Sequence, residues 1–284
     1  MLLRFRYRMT QSLLRPFRTV LAQPLLFLLL ALSSPAQQQW PAPVRTEGSV
    51  AGPVSRILPP ASFTAPLNQN LVYEVEWRLW TAGTATLSLA TDGPLVRASA
   101  TANSSGAVSV LYPVHDRFQS AFNPHTFCSQ NLSKHTEEGF RSRETLIAFN
   151  YSRRRAVLDE TNLKSGQGKH QEKDIPPCVT DVISGIFYIA SLPLLLNTPS
   201  TFPLNDGGDT VDVTVTAEAR ETVTTPAGTY KTLRVSPQAT SGPVKDKGQI
   251  WIWYTDDATR IPVQMRARMF WGTLTFRLLR VEKK

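Results

Sequence analysis

Few residue pairs in this chain could transfer a proton or hold a metal ion. His115 and Asp116 are the nearest approach to an acid–base pair, but they are adjacent in a predicted strand. Because successive strand residues point to opposite faces, these two side chains are not expected to meet. His115, His125 and His135 lack the close spacing of zinc ligands, so we expect strand-edge or surface histidines rather than a metal site.

The carboxylates of Asp256 and Asp257 are a second candidate for acid–base chemistry. They lie between two predicted strands, where aspartate side chains accept hydrogen bonds from nearby backbone amides, so we interpret them as turn residues. The sequence also lacks the Gly-x-Ser-x-Gly motif of serine hydrolases, and neither cysteine lies in a hydrolase signature. We therefore expect no enzymatic activity and no cofactor.

The two cysteines, Cys128 and Cys178, are predicted to form a disulfide. The prediction rests on their even number and on the export signal described below, because exported proteins reach an oxidising compartment. Two separate buried thiols are the alternative.

The densest positive charge outside the N-terminus comes from Arg141, Arg143, Arg153, Arg154 and Arg155, which flank a predicted apolar strand. Arginine pairs bidentately with phosphate, so this group is a candidate contact for lipid phosphates. A solvated sheet face is the alternative.

Aromatic residues suggest an apolar cleft. Tryptophans lie on several predicted strands, and both faces of those strands are partly apolar, which is more apolar surface than one helix can cover. The ordinary alternative is a hydrophobic core. The candidate cleft residues are Trp77, Trp80, Ile183, Phe187, Trp251 and Trp253.

The elements that must position these residues are mostly strands. Apolar and polar residues alternate from Leu71 to Leu79, from Val211 to Ala219 and from Ile261 to Met269, which predicts half-buried strands. Residues Gln249 to Thr255 are apolar on both faces and predict a central strand. Asp92-Gly93 is typical of a hairpin turn.

One segment has helical spacing instead. Apolar residues between Val179 and Ala190 recur every three or four positions, after Pro176-Pro177 and before Pro193. A single amphipathic helix among eight or more strands has to bury its apolar face on the sheet. The predicted fold is therefore mainly β: a curved antiparallel sheet or incompletely closed β-barrel with one helix packed on its concave face.

The N-terminus resembles a secretory signal. Arginines precede the apolar run Leu25 to Leu32, and Ser34-Pro35-Ala36 follows it, so we predict a signal peptide over residues 1–36 with cleavage near Ala36. Met9 is an alternative start. The run is shorter than the roughly 20 residues that span a bilayer as a helix, which makes a retained anchor the weaker alternative.

Residues 37–68 are rich in Pro, Ala, Ser and Gln and predict a flexible lead-in, and residues 69–284 predict a single β-rich domain. The formal charge is +9, but five arginines lie in the predicted signal, so the rest carries +4. This small excess gives no support for nucleic-acid binding. We expect a periplasmic or secreted protein that is not integral to the membrane once the signal is removed.

Several stretches in order along the chain resemble a known family. They are Tyr112 to Phe118 with Asn123-Pro124; Glu138 to Arg141; Asp181 to Ser184 with Tyr188; Glu221 to Tyr230; and Ile252-Trp253 with Asp256-Asp257, Arg260 to Val263 and Gly272. Together they resemble the bacterial exported family catalogued as domain of unknown function 3108. The resemblance implies a Gram-negative envelope protein with no established activity and no family catalytic residues to carry over. Ala190-Ser191 stands where the family usually has an arginine.

Two functions fit these expectations. The first is a binding module that holds a lipid or another apolar envelope molecule in a cleft between sheet and helix. The alternative is a structural or assembly protein of the envelope that binds other proteins through its sheet edges.

Overall fold

The computed structural model describes residues 56–78, 80–239, 248–269 and 272–283. The predicted signal peptide and most of the predicted lead-in lie outside these residues, and the following description applies to the described parts of the chain. They form fourteen strands and two helices. In chain order these are β1 (Gln69–Trp77), β2 (Trp80–Asp92), β3 (Leu95–Ser104), α1 (Gly106–Leu111), β4 (His115–Phe122), β5 (Ser129–Glu138), β6 (Arg141–Asn150), β7 (Arg155–Asn162), β8 (Gly168–Asp174), α2 (Val182–Ser191), β9 (Pro199–Leu204), β10 (Val211–Thr225), β11 (Gly228–Ala239), β12 (Gly248–Thr255), β13 (Pro262–Met269) and β14 (Gly272–Lys283).

All of the strands belong to one antiparallel sheet. Its order is β8-β7-β6-β5-β4-β3-β2-β1-β14-β13-β12-β11-β10-β9. Each strand pairs with its neighbours along the chain, except that β1 and β14 pair with each other and β8 and β9 form the two edges. The sheet is thus two meanders joined through β1 and β14, and it is not closed.

Helix α2 lies against widely separated parts of this sheet. The Tyr254 hydroxyl on β12 donates to the Ile186 carbonyl at 2.7 Å. The Tyr188 ring packs edge-on against Phe202 of β9, with 4.9 Å between the centroids. At the start of the helix, Asp181 accepts a hydrogen bond from Ser120 of β4. A sheet that contacts one short helix from β4, β9 and β12 has to curve around it, which confirms the predicted fold class.

Residues of the connecting segments contact both edge strands. The Thr180 amide donates to the Pro203 carbonyl at 3.1 Å, beside β9. Lys173 on β8 lies 2.7 Å from Asp209, which precedes β10. The two edges are therefore tied to each other without a β-ladder between them.

Side-chain alternation explains which residues enter the core. On β1, Leu71, Tyr73 and Val75 are buried, as their period of two predicts. On β12, Ile252 and Tyr254 share the face that meets α2, so Trp253 between them points to the opposite face.

The structure differs from the sequence-based prediction in three places. Helix α1 was not predicted, and none of its residues is buried. The polar stretch 159–174 forms the second half of β7 and all of β8. Residues 56–68, predicted to be flexible, pack on the domain, where Ile57 and Phe63 contact the core. Short polar strands and a proline-rich segment have little periodicity, so their long-range contacts left no local signal.

Candidate functional site

An apolar pocket of about 390 Å³ lies at the end of the sheet where β2 and β4 end and β3 begins. Its floor is formed by Leu89, Val96, Phe122 and Phe127. Its roof is formed by residues between Leu58 and Leu67. The floor residues belong to the buried core, so the pocket is an open continuation of that core.

The floor depends on a tight turn after β4. The Asn123 side chain accepts hydrogen bonds from the amides of His125 and Thr126, at 2.9 and 3.0 Å. The Phe127 amide then donates to the Asn123 carbonyl at 2.8 Å, and Phe127 has a left-handed φ of 54°. This conformation is uncommon for a bulky residue, and it places the Phe127 ring on Phe122, with stacked centroids 5.0 Å apart.

The roof is a strap, which we define as residues 56–67. At its start, the Arg56 guanidinium donates to the carbonyls of Thr126 and Phe127 and lies 4.0 Å from the centre of the Tyr188 ring. The Tyr188 hydroxyl also donates to the Ile57 carbonyl at 2.8 Å.

Further along the strap, the Thr64 amide donates to the Ala258 carbonyl at 3.0 Å, and Leu67 forms an isolated bridge with Leu89. Contacts at both ends therefore hold the strap over the pocket, while Leu58 between them is 59% exposed.

The environment of the pocket is poor in charge. His125 is the only lining residue with a titratable side chain. Burial lowers the pKa of the nearby Arg56 guanidinium, and the facing Tyr188 and Tyr151 hydroxyls partly oppose that shift. Burial also raises the pKa of Tyr151 to about 12, so this phenol stays neutral at physiological pH. The arrangement suits an apolar occupant better than a charged one.

A disulfide joins Cys128 to Cys178, with 5.1 Å between the Cα atoms. Cys128 follows Phe127 directly, and Cys178 precedes the start of α2. The bond therefore links the pocket floor covalently to the segment that leads into the helix. It joins the two cysteines that were predicted to be bonded.

A buried polar cluster fixes the start of α2. Asp181 is fully buried and caps the helix, and its Oδ1 accepts hydrogen bonds from the amides of Ile183 and Ser184 at 2.8 and 2.9 Å. Its Oδ2 accepts from the hydroxyls of Ser120 and Ser129, both at 2.5 Å, and from Ser184 at 2.9 Å. Every one of these groups is used in holding the helix. Within the described residues, no group of three His, Cys, Asp or Glu side chains is placed to hold a metal ion.

The six predicted cleft residues are not brought together. Ile183 and Phe187 lie in the closed interface between α2 and the sheet. Trp253 is on the opposite face of the sheet and donates to Glu221, and Trp251 shares that face. The remaining two, Trp77 and Trp80, lie opposite each other at the turn between β1 and β2, where Trp80 is 71% exposed. Both faces of β12 are apolar in sequence, so periodicity could not show which face meets the helix.

The five predicted phosphate-contact arginines are also separated. Arg141 and Arg143 lie at the beginning of β6, and Arg143 pairs with Glu160 at 3.1 Å. The other three, Arg153, Arg154 and Arg155, lie at or near the turn that follows β6, and Arg155 pairs with Asp174 at 3.3 Å. A ten-residue strand extends for about 30 Å, so the two groups cannot form one patch.

Two predictions about individual residues agree with the geometry. His115 is exposed whereas Asp116 is buried, and they do not pair. The Asp257 side chain accepts hydrogen bonds from the amides of Thr259 and Arg260, as expected for a turn residue. The strap was not predicted, because its only sequence signal was a few apolar residues among prolines.

Comparison with known proteins identifies a family and a fold. The family model described as "Protein of unknown function (DUF3108)" matches residues 72–279. The crystal structure of a β-barrel-like protein of domain of unknown function DUF1849 from Brucella abortus has a TM-score of 0.56 with 6% identity, over 78% of this chain and 99% of that chain. No curated protein matches the sequence.

Two further solved structures match with lower TM-scores. One is a Bacteroides fragilis protein described as exported, with a YmcC-like fold (TM-score 0.34, 11% identity, 78% of this chain and 98% of that chain). The other is a Parabacteroides distasonis protein described as a lipoprotein (TM-score 0.30, 10% identity, 78% and 98%). The Brucella likeness shows a shared β-barrel-like fold.

Proposed function

This chain belongs to the family of proteins of unknown function DUF3108, and we propose that it is an exported envelope protein that binds one apolar molecule, such as a lipid acyl chain, beneath its strap. The observation that carries the proposal is the pocket of about 390 Å³ with aromatic and aliphatic walls. Binding sites for small ligands are typically about 300–1,000 Å³ and mainly apolar, with few polar groups.

The proposed ligand has an apolar body and a small polar end. Phe122 and Phe127 would contact the apolar body, because they already present stacked rings at the floor. His125 supplies a polar side chain at the wall, where it can donate to or accept from a ligand head group. Burial of an acyl chain against such a surface is favourable in proportion to the apolar area removed from water.

The pocket is already partly open to solvent, and movement of the strap is proposed to widen its entrance. The middle of the strap is held less firmly than its ends, since the contacts of Arg56 and Thr64 lie on either side of exposed Leu58. A local opening of this segment would admit a ligand without disturbing the core strands.

Two observations support the export part of the proposal. The first 36 residues follow the signal-peptide pattern, and a disulfide between Cys128 and Cys178 suits an oxidising compartment. Among the described residues, neither helix is long and apolar enough to cross a membrane.

The sheet edges give little support to the alternative of an assembly protein that pairs through them. β8 is a short edge strand with charged residues at five of its seven positions when His170 is included, and such charges discourage strand addition. β9 contains Pro199 and Pro203, and its free edge is partly covered by Thr180.

The proposal can be tested with a pocket-filling variant. Ala65→Phe places a ring in the pocket, and Ala148→Phe is the matched control because Ala148 is exposed on β6. Protein recovered after export should carry a bound apolar molecule in native mass spectra and should bind a fluorescent fatty-acid analogue. Ala65→Phe should lose the bound mass and weaken analogue binding about tenfold or more, whereas Ala148→Phe should match the wild type. The proposal would be overturned if the wild-type protein carried no bound apolar molecule and did not bind the analogue. It would also be overturned if a folded Ala65→Phe variant bound the analogue as tightly as the wild type.

A further inference from the structure

Four consecutive connections at one end of the sheet carry exposed apolar side chains. These are the turns between β1 and β2, β3 and β4, β5 and β6, and β7 and β8, which we call the turn row. Its exposed side chains include Trp80 (71%), Val110 (83%), Leu111 (81%), Phe140 (93%) and Leu163 (47%).

The antiparallel register places these connections at the same end. Trp77 faces Trp80, Asn103 faces His115, and Glu138 faces Arg141 in their respective strand pairs. Neighbouring strands are about 4.8 Å apart, so the tips follow one another at about 10 Å, and the four cover about 30 Å. Soluble proteins seldom leave such a series of large apolar side chains in water without a partner.

Positive charge accompanies the apolar side chains. Arg78, Arg141, Lys164 and Lys169 are exposed at these same turns, and none of them makes an ion pair within the described part of the chain. Arg78 instead lies 5.5 Å from the Trp77 ring.

Two of the carboxylates near the turn row have a basic partner. Glu160 binds Arg143 at 3.1 Å and Glu137 lies 3.4 Å from His135, whereas Glu138 lies close enough to Asp116 to raise its pKa. The surface offered to a partner therefore combines exposed apolar tips with four cations that have no ion-pair partner among the described residues.

From this combination we propose that the turn row docks onto the surface of a membrane that contains anionic phospholipids. Tryptophan and other large apolar side chains favour the headgroup boundary, and lysine and arginine are attracted by anionic headgroups. A second copy of this chain is the poorer partner, because two positive turn rows would repel each other. The membrane site is separate from the pocket, which lies at the opposite ends of β2, β3 and β4.

Co-sedimentation with vesicles tests the apolar part of this proposal. The exported protein should bind vesicles of phosphatidylcholine containing phosphatidylglycerol. A Trp80→Ser/Phe140→Ser variant should have an affinity for these vesicles that is lower by at least about tenfold, because it removes two large apolar contacts. The control Leu146→Ser/Leu195→Ser removes exposed apolar side chains outside the turn row and should bind as the wild type does. The N-terminal segment is common to all variants, so its contribution cancels in the comparison.

A charge pair of variants tests the lipid class. Arg141→Gln/Lys164→Gln should lose most of the preference for phosphatidylglycerol over pure phosphatidylcholine, and added salt should reduce that preference in the wild type. Arg153→Gln/Lys231→Gln changes the same residue types away from the turn row and should keep the preference. Equal binding by wild type and Trp80→Ser/Phe140→Ser would overturn the proposal. Absence of vesicle binding, together with cross-links from position 140 to an envelope protein, would overturn it in favour of a protein partner.

Discussion

Replacement of Asp181 by alanine should be one of the most damaging single substitutions in the domain. The carboxylate is fully buried and accepts five hydrogen bonds, two from backbone amides at the start of α2 and three from serine hydroxyls. Loss of a helix cap costs about 1 kcal/mol, and each buried hydroxyl that loses its acceptor adds about 1 kcal/mol. Removal of a buried charge recovers part of this cost.

The expected loss is therefore about 3–4 kcal/mol of unfolding free energy, out of about 5–15 kcal/mol for a typical domain. In a domain of this size that corresponds to a fall in Tm of about 10 °C. Urea denaturation followed by tryptophan fluorescence measures the loss directly, since β12 carries two tryptophans.

Two control variants make the result interpretable. Asp181→Asn keeps an oxygen for the two amides and should lose only about 1–2 kcal/mol, because asparagine is also a good helix cap. Asp159→Ala removes an exposed aspartate whose partner is His170, and it should change stability by no more than about 0.5 kcal/mol. If Asp181→Ala is no more destabilising than Asp159→Ala, with the same denaturant slope, the cluster does not hold the helix and the reasoning is refuted.

Four further outcomes are expected. Cys128→Ser should cost about 4 kcal/mol in the chain-entropy model, because the bond closes a separation of 50 residues; an unchanged thermal melt, or two free thiols in denatured unreduced protein, would contradict this. Arg56→Gln should speed limited proteolysis within the strap several-fold while leaving the global Tm nearly unchanged, and unchanged cleavage would show that the guanidinium does not pin the strap. Burial raises the pKa of Asp116 to about 6, so the folded state binds more protons than the unfolded state and stability should fall as pH rises from about 4 to about 6. Asp116→Asn should remove that fall, and a variant whose stability changes with pH in parallel with the wild type would refute the prediction. The exported protein should begin at Gln37, which mass spectrometry of its N-terminal peptide checks.

Much of the sheet could be predicted because a strand with one buried face has apolar residues at every second position of its sequence. Leu71, Tyr73 and Val75 recur at every second position and all three enter the core, although Val72 between the first two is also buried. The helix was equally visible, because its spacing and the prolines around it are local features. The sequence of a strand that is apolar on both sides, however, does not reveal which side meets the helix, and the structure places Trp253 on the side that faces away from it.

The pocket could not be predicted from local pattern. Its walls come from the strap and from strands β2 to β4, and Arg56 reaches residues about 70 positions away. Such contacts depend on the final curvature of the sheet. The separation of Arg143 from Arg153 has the same origin, since residues ten positions apart are near in sequence but lie at opposite ends of β6.

The position of the pocket follows from how the interior of the sheet is filled. A large β-barrel can enclose a ligand at its centre, provided that side chains do not occupy that space. Here α2 occupies it, with Phe187 and Tyr188 each 1% exposed and the Tyr254 hydroxyl bonded to the helix backbone. The proposed ligand would therefore bind at the end of the sheet covered by the strap, where no residue of α2 lines the pocket. The same argument explains why substitutions at Asp181 and Ala65 should have different effects. The first should loosen the helix and lower global stability, whereas the second should block the pocket and leave the helix in place.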